Sequence, residues 1–453
     1  MQSFDLIVVG AGSGLNVSSA AAEMGIKVAV VEKGPMGGTC LNRGCIPSKI
    51  IIHSADVAET IKKSRLFGIN SKINSVDFAK ITSRTSNIVD KDAKDIEEAI
   101  IEDKKTTLFK VEAKFIGERT LKVGKETIKG DKIVIAAGTR PSVPNIEGLK
   151  DVDYMTSDGA LRLKKQPKAM TILGGGYIAA ELAHFYGALG TKINIVQRGK
   201  FLIPNEDEEI SRKFTEIFSR KYNILTEFSA KQVYIKNGKF VLEIEGKKSD
   251  KKLISDQLLV ATGRIPNTDI LDVKKTNVEI NEKGFVRTNE YLETTAKNIW
   301  ALGDIAGKYL FKHSANLEAQ YVYSNAILNK KVKVDYNAMP HAIFSSPQIA
   351  GVGHREQDLK EKKISYAKGV YKYINSGMGI ALQDNEGFVK IFADKKTRKI
   401  LGCHILGTDA SILIHEVIVA MKANLPVDSL REAVHIHPAL SEVVQRAVNN
   451  IEW

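Results

Sequence analysis

Two cysteines with four residues between them, Cys40 and Cys45, sit in residues 37–49, GGTCLNRGCIPSK. A chain of 453 residues with three cysteines in all does not use them as a structural framework. A disulfide closing so short a loop removes little entropy from the unfolded chain, so stability is a poor reason for one. Strained short-loop bridges are easily reduced, and a pair that opens and closes in a redox cycle is the better reason. Two unrelated buried cysteines are the plain alternative, because cysteine is often buried as a small apolar residue. Near the other end, residues 435–448 read HIHPALSEVVQRAV. Imidazole titrates near neutral pH, as proton transfer to a thiolate requires. A glutamate accepting from the second ring nitrogen would fix the tautomer. His437 and Glu442 are therefore a candidate acid/base pair, with an ordinary structural histidine as the alternative. His435 reads as structural, and no metal-ligand set is read anywhere in the chain.

These residues need elements to hold them. Residues 4–9, FDLIVV, form a buried strand, followed by Gly10, Gly12 and Gly14, a small-residue helix through Met24, and a second strand, VAVVE, ending at Glu32. That is a βαβ dinucleotide unit: glycines let the backbone approach a pyrophosphate at a helix N-terminus, and an acid about 20 residues on accepts from a ribose hydroxyl. Leu15 departs from the pattern, which wants glycine or alanine there, and puts the helix–strand packing in question. A second unit starts in AMTILGGGYIAAELAHFYGALGTKINIVQR, with Gly174, Gly176 and Ala179 at the three fingerprint positions. Two such units imply two dinucleotides; a plain packing turn is the alternative for the second.

Composition bounds the rest. The length suits about three domains, and 43% apolar with 26% charged residues describes an ordinary globular chain. No apolar run approaches the roughly 20 residues that span a bilayer, and the start is not a signal peptide. Sixty-six basic against 53 acidic residues give +13, but pairs such as Lys62-Lys63 and Lys104-Lys105 are scattered, so no nucleic-acid or membrane partner is expected. A dithiol that must cycle suits a reducing, cytoplasmic compartment. Residues 54–103 read as helices, with Val89, Ala93, Ile96 and Ile100 on one face. Residues 106–135 alternate as strands. Cys403, in ILGCHILG beside His404, reads as inert core.

The cysteine string most closely resembles the dihydrolipoyl dehydrogenase version of the FAD-dependent pyridine nucleotide–disulfide oxidoreductases, with Arg43 at a variable position. Both glycine units, IVIAAGTRP, LLVATGRIPN, NIWALGDIAG and the HIHP…E terminus follow in the family's order. Ala439 stands where many members carry threonine. The resemblance implies an α/β fold of two Rossmann-like dinucleotide-binding domains, for FAD and NAD(P), and a C-terminal α+β dimerisation domain. The corresponding boundaries are residues 1–140 with 265–335, then 141–264, then 336–453. It implies FAD beside the dithiol, held by Gly10, Gly12, Gly14, Glu32, Lys33, Gly38, Thr39, Gly138 and Asp304, the last on the ribityl chain unless it only caps a helix. Gly174, Gly176, Tyr177, Ile178, Gln197, Arg198, Gly263 and Arg264 would serve the nicotinamide nucleotide and the return to the flavin domain. Cys45 would be the flavin-side thiolate, Cys40 the interchange thiol, and His437 with Glu442 the base of the other subunit in a homodimer. Lys49 and Glu181 would pair beside the flavin, with Tyr177 over the nicotinamide pocket; His313 falls near the flavin.

The external substrate is then a small thiol or disulfide, or a lipoyl domain. NADPH-dependent reduction of a low-molecular-weight disulfide is the alternative, because GSGLN, LFKHSANLEA and HPALSEVV resemble mycothione reductase. A mercuric reductase ranks lower, since NNIEW carries no terminal cysteine pair, and a non-catalytic nucleotide-binding protein lower still. The strand INIV is followed by Gln197, Arg198 and Lys200 rather than by the glutamate expected of an NAD site, so NADP(H) is expected ahead of NAD(H).

Overall fold

A computed structural model describes every residue except Lys248 and shows an α/β protein whose contacts divide it into two compact units. The first comprises residues 1–48, 82–142 and 263–335; the second comprises 49–81, 143–262 and 336–453. No described helix is long and apolar enough to cross a membrane.

The first unit is built on a seven-stranded sheet. Gln2–Val9 lies between Val28–Val31 and Glu126–Ile135, parallel to both, with Thr106–Phe109 and Ile299–Ala301 extending the parallel part. Strands buried on both faces need no alternation, and Leu6, Ile7 and Val8 are all fully buried. The strand ends at Gly10, whose φ is +107° and whose missing β-carbon would lie 2.3 Å from the Ala136 carbonyl oxygen. Only glycine fits there. The helix Gly14–Glu23 then packs on the sheet. Leu15 does no harm to that packing, because Gly14 makes the close approach: a β-carbon on it would meet Val8 at 2.8 Å and Ala136 at 2.9 Å. The helical face read at Val89, Ala93, Ile96 and Ile100 lies on Phe78–Glu102, with Val89, Ala93 and Ile100 buried and Ile96 half-buried.

The second unit holds three sheets. A four-stranded parallel sheet contains Ala169–Leu173 and Lys192–Gln197, joined by the helix Tyr177–Ala188. A three-stranded antiparallel sheet covers Phe228–Lys236, Lys239–Gly246 and Lys251–Ser255. The third is antiparallel, in the order Pro340–Ile343, Gln348–Gly353, Ile400–Gly407, Phe388–Asp394, Tyr366–Lys372.

Inside this unit Lys390 is 1% exposed and bonds three carboxylates: Asp207 at 2.9 Å, Glu209 at 3.0 Å and Glu356 at 2.6 Å. Asp207 also caps Glu208–Lys221 by accepting from the Glu209 N–H. A buried ammonium is tolerated because its charge is fully paired; removing one partner would leave charge uncompensated. Burial by itself would raise the Glu356 carboxyl, but Lys390 overrides it and holds the group at about 2 instead of its ordinary 4.5. The unfolded chain therefore takes up this proton first as pH falls. Glu356 contributes stability that is fully present above about pH 4.5 and is lost towards pH 2. Urea midpoints measured from about pH 6 to about pH 3 should fall more steeply for the wild type than for Glu356→Gln; equal slopes would remove this pair from the acid response.

Candidate functional site

The cysteine pair lies on two consecutive helices of the first unit's chain. Cys40 is in Gly38–Arg43, and Cys45 is the first residue of Cys45–Lys63. Gly44 makes the turn between them: a β-carbon there would meet the Thr39 carbonyl oxygen at 2.9 Å and the Cys40 α-carbon at 3.3 Å. Asn42 pins the loop by donating to the Met36 and Gly38 carbonyls at 2.7 and 2.9 Å. Cys40 is half-buried and Cys45 exposed. A thiolate in the first turn of a long helix is favoured by the helix dipole. Cys403, by contrast, is fully buried, and burial pushes its thiol up, with Glu416 adding to the effect. It has the character of inert core.

The first unit also carries the residues expected to serve an adenine dinucleotide. Gly38 lies against Gly12, its absent β-carbon only 2.8 Å from the Gly12 α-carbon. Glu32 accepts from the Ala11 N–H at 2.9 Å and from the Gly34 N–H at 2.7 Å, so its carboxylate is fixed at the end of the second strand. Gly10, Glu32 and Lys33 line a cavity there, the place where open α/β sheets take ligands. These residues fit an adenine dinucleotide. Lys33 pairs with Glu112 at 2.9 Å; Thr39 is exposed and Gly138 half-buried. Asp304 is not a helix cap: Thr139 donates to it at 2.8 Å, and Arg264 holds Thr139 through Nε and Nη2, both at 2.7 Å. Burial raises the Asp304 carboxyl above the usual range, with Thr139 and Arg264 opposing.

Lys312 was not singled out from sequence. Its Nζ donates to Ser13 at 2.9 Å, and Ser13 donates to Asn316 at 2.9 Å. Burial lowers the lysine, while the charges of Cys40 and Cys45 raise it, so an ammonium stands beside the dithiol. The neighbouring His313, expected near the flavin, is exposed and stacks on Phe311 at 5.2 Å. The available signal was a lysine at the start of a helix, Lys312–Val322, that follows the Asp304 turn.

In the second unit Lys49, four residues beyond Cys45 on the same helix, bonds both oxygens of Glu181, at 2.9 and 2.8 Å. Glu181 is buried and also accepts from the Phe344 N–H at 3.0 Å. Gly174 has φ +103°, and its missing β-carbon would meet the Ala261 carbonyl oxygen at 2.3 Å. Gly176 precedes the helix, Tyr177 is exposed at its first residue, Ile178 is half-buried, and Ala179 is fully buried. Gln197 turns back towards the Phe201 carbonyl at 3.3 Å, while Arg198, Lys200 and Gly263 are exposed. His437 Nδ1 faces both oxygens of Glu442, at 3.1 and 3.2 Å. The His437 bond, against the burial that opposes it, holds the Glu442 carboxyl below its usual range. The His437 side chain is 76% exposed and follows Val434 and Ile436, which are also exposed. His435 is held instead by Glu416 at 2.9 Å.

Two dinucleotide turns and a helix-borne cysteine pair are the parts of a redox protein that moves electrons between a nucleotide and a thiol. The chain belongs to the pyridine nucleotide-disulphide oxidoreductase family, whose model matches residues 4–342, with the family's dimerisation domain over 339–448. It is 34% identical over 460 residues to mycothione reductase of Mycobacterium tuberculosis, covering 99% of each chain. It is 32% identical to dihydrolipoyl dehydrogenase of Bacillus subtilis (98% of this chain, 95% of that one) and 32% to mercuric reductase of Staphylococcus aureus (98% and 82%). Among solved structures, the HOCl-induced flavoprotein disulfide reductase RclA from Escherichia coli superposes with a TM-score of 0.88 at 26% identity, covering 98% of this chain and 99% of that one. Members of the family are FAD-dependent and use NAD(P)H. This chain is thus an oxidoreductase carrying a dimerisation domain.

If Lys312 stabilises thiolate charge, Lys312→Met should slow iodoacetamide alkylation of the reduced protein several-fold near pH 7, where thiolate is scarce. Above about pH 9.5 the two proteins should react alike, because both thiols are then ionised. A deficit that persists at high pH would mean a steric role.

Proposed function

We propose that the chain is an NADP(H)-linked disulfide reductase acting on a low-molecular-weight disulfide. The observation that carries this reading is the end of the strand Lys192–Gln197. Where a carboxylate would repel a 2′-phosphate, this chain has Gln197, then exposed Arg198 and Lys200. A guanidinium offers a bidentate site for a phosphate dianion. The likeness to mycothione reductase supports the substrate class. Dihydrolipoyl dehydrogenase activity, on free lipoamide or a lipoyl domain, is the second reading, favoured by the GGTCLNRGCIPSK string. A reducing, cytoplasmic setting suits either.

The Gly10–Gly14 turn, Glu32 and Asp304 would hold FAD, which when bound would supply two-electron chemistry linking nicotinamide to cysteines. The chain's own groups do the thiol chemistry. Cys40 as thiolate attacks one sulfur of the external disulfide, forming a mixed disulfide and expelling the first thiolate, which takes a proton from His437. Cys45 then attacks Cys40, closing the Cys40–Cys45 disulfide and releasing the second thiolate. The external disulfide is reduced by two electrons and the cysteine pair is oxidised by two; NADPH restores the pair. Glu442 holds the His437 tautomer and supports its charge. Lys49 and Glu181 fix each other's position through their paired charges. We assign His437 to the cysteine pair of a second subunit, since it stands exposed among exposed apolar residues. The parallel-sheet and C-terminal portions of the second unit would act as separate nicotinamide and dimerisation domains.

Comparison of kcat/KM for NADPH and NADH should favour NADPH, with Arg198→Ala erasing most of the preference. A preference for NADH that ignores this substitution would favour the dihydrolipoyl dehydrogenase reading. Replacing His437 by Gln should slow disulfide turnover by roughly 10²–10⁴ while NADPH still reduces an artificial acceptor. Mixed dimers of His437→Gln and Cys45→Ser chains should regain about a quarter of wild-type turnover, because half the dimers have one intact site. No recovery would place base and dithiol on one chain.

A further inference from the structure

Outside the redox site, three side chains far apart in sequence converge within the second unit. His341 lies on Pro340–Ile343, Gly351 on Gln348–Gly353 and His404 on Ile400–Gly407. The antiparallel registers set His341 opposite Gly351 and Gly351 opposite His404. Directly opposed residues share a face, so two imidazoles flank a glycine on one side of the sheet. A β-carbon on Gly351 would lie 2.8 Å from His341 Nε2 and 2.8 Å from His404 Nδ1. Glycine therefore leaves the hollow into which both rings turn, their centroids 6.3 Å apart.

Glu206, just before the helix Glu208–Lys221, closes this hollow. One carboxylate oxygen meets His341 Nε2 and the other meets His404 Nδ1 at 2.6 Å. The three donor atoms all lie within 4.8 Å of one another. Glu206 and His404 are buried, while His341 is about a quarter exposed and gives access from solvent.

The tautomer of His404 follows from its second nitrogen. Nε2 is 3.0 Å from the His354 carbonyl oxygen, which can only accept, so Nε2 carries hydrogen. Nδ1 then meets the carboxylate at 2.6 Å across either a proton or a metal ion. A histidine whose far N–H is tied to a backbone carbonyl is the usual support of a metal-bound imidazole. Two imidazoles and a carboxylate, with no thiolate, suit zinc with a fourth position left for water.

We propose that Glu206, His341 and His404 bind a divalent first-row transition metal ion, zinc by ligand type and number, separate from the cysteine pair. The ion would tie the segment before Glu208–Lys221 to the antiparallel sheet.

The test uses the flavin-loaded protein with its cysteines oxidised, so that thiolates do not compete for metal. After dialysis against zinc and then metal-free buffer, elemental analysis should find about one zinc per chain, and X-ray absorption at the zinc edge should show nitrogen and oxygen donors only. Cys40→Ser/Cys45→Ser should retain that zinc. His341→Ala, at the most exposed of the three ligands and therefore least disturbing to folding, should bind it at least about tenfold more weakly, as should Glu206→Gln. No zinc in the wild type, undiminished zinc in His341→Ala, or sulfur among the donors would overturn the proposal. The first of these results would leave a proton between Glu206 and His404 and make the trio a buried ion pair.

Discussion

Both nucleotide turns rest on one steric constraint: a strand must end where its backbone meets the carbonyl that follows the neighbouring strand. Gly10 does this against Ala136 and Gly174 against Ala261, each with positive φ and each with room for hydrogen but not for a β-carbon. The consequence is the same twice. The chain turns sharply into a helix whose N-terminal dipole end favours an anion, and the next strand delivers Glu32 in one unit and Gln197 in the other to the same side. Every other feature of the nucleotide sites depends on those two turns being tight. A bulkier residue at either would have to push neighbouring backbone, not a flexible side chain, out of the way.

The dithiol is subject to a related constraint. Cys40 and Cys45 are placed by a helix break at Gly44, where Thr39 and Cys40 leave no space for a side chain. The two sulfurs therefore belong to adjacent helix ends rather than to one helical face, where four intervening residues would separate them by more than a turn. Cys45 gains the N-terminal end of a 19-residue helix, and Lys312 adds a second source of positive potential.

Much of this was legible in the sequence because it is local. The glycine turns, Glu32, the cysteine string and the His437–Glu442 pair each lie within a short window where spacing determines geometry. The helical face of Phe78–Glu102 was legible for the same reason, since a 3.6-residue period needs no knowledge of the partner surface. Leu15 looked like a defect only because the fingerprint assigns the packing role to its position; Gly14, one residue earlier, carries it. Asp304 could not be resolved between cap and ligand from sequence, because its partner Thr139 is 165 residues away. Lys312 was hidden by its neighbour His313, whose chemistry is more conspicuous but whose ring faces outward.

The hardest stretch to read was NEDEE, residues 205–209. An acidic run before a helix ordinarily marks solvated surface with a capping residue in it. Here Glu206 and Asp207 are among the most buried acids of the chain, Glu206 between two histidines and Asp207 against Lys390. Nothing local predicts this, since the histidine and lysine partners come from strands more than 130 residues further on. Burying such groups gains little net energy over apolar packing of the same shape. What it does is exclude alternatives, since any shift of this segment would strand a carboxylate, an imidazole or an ammonium without its partner. Two adjacent acids with separate buried partners fix the segment in both position and rotation, and so fix the start of the helix that follows it.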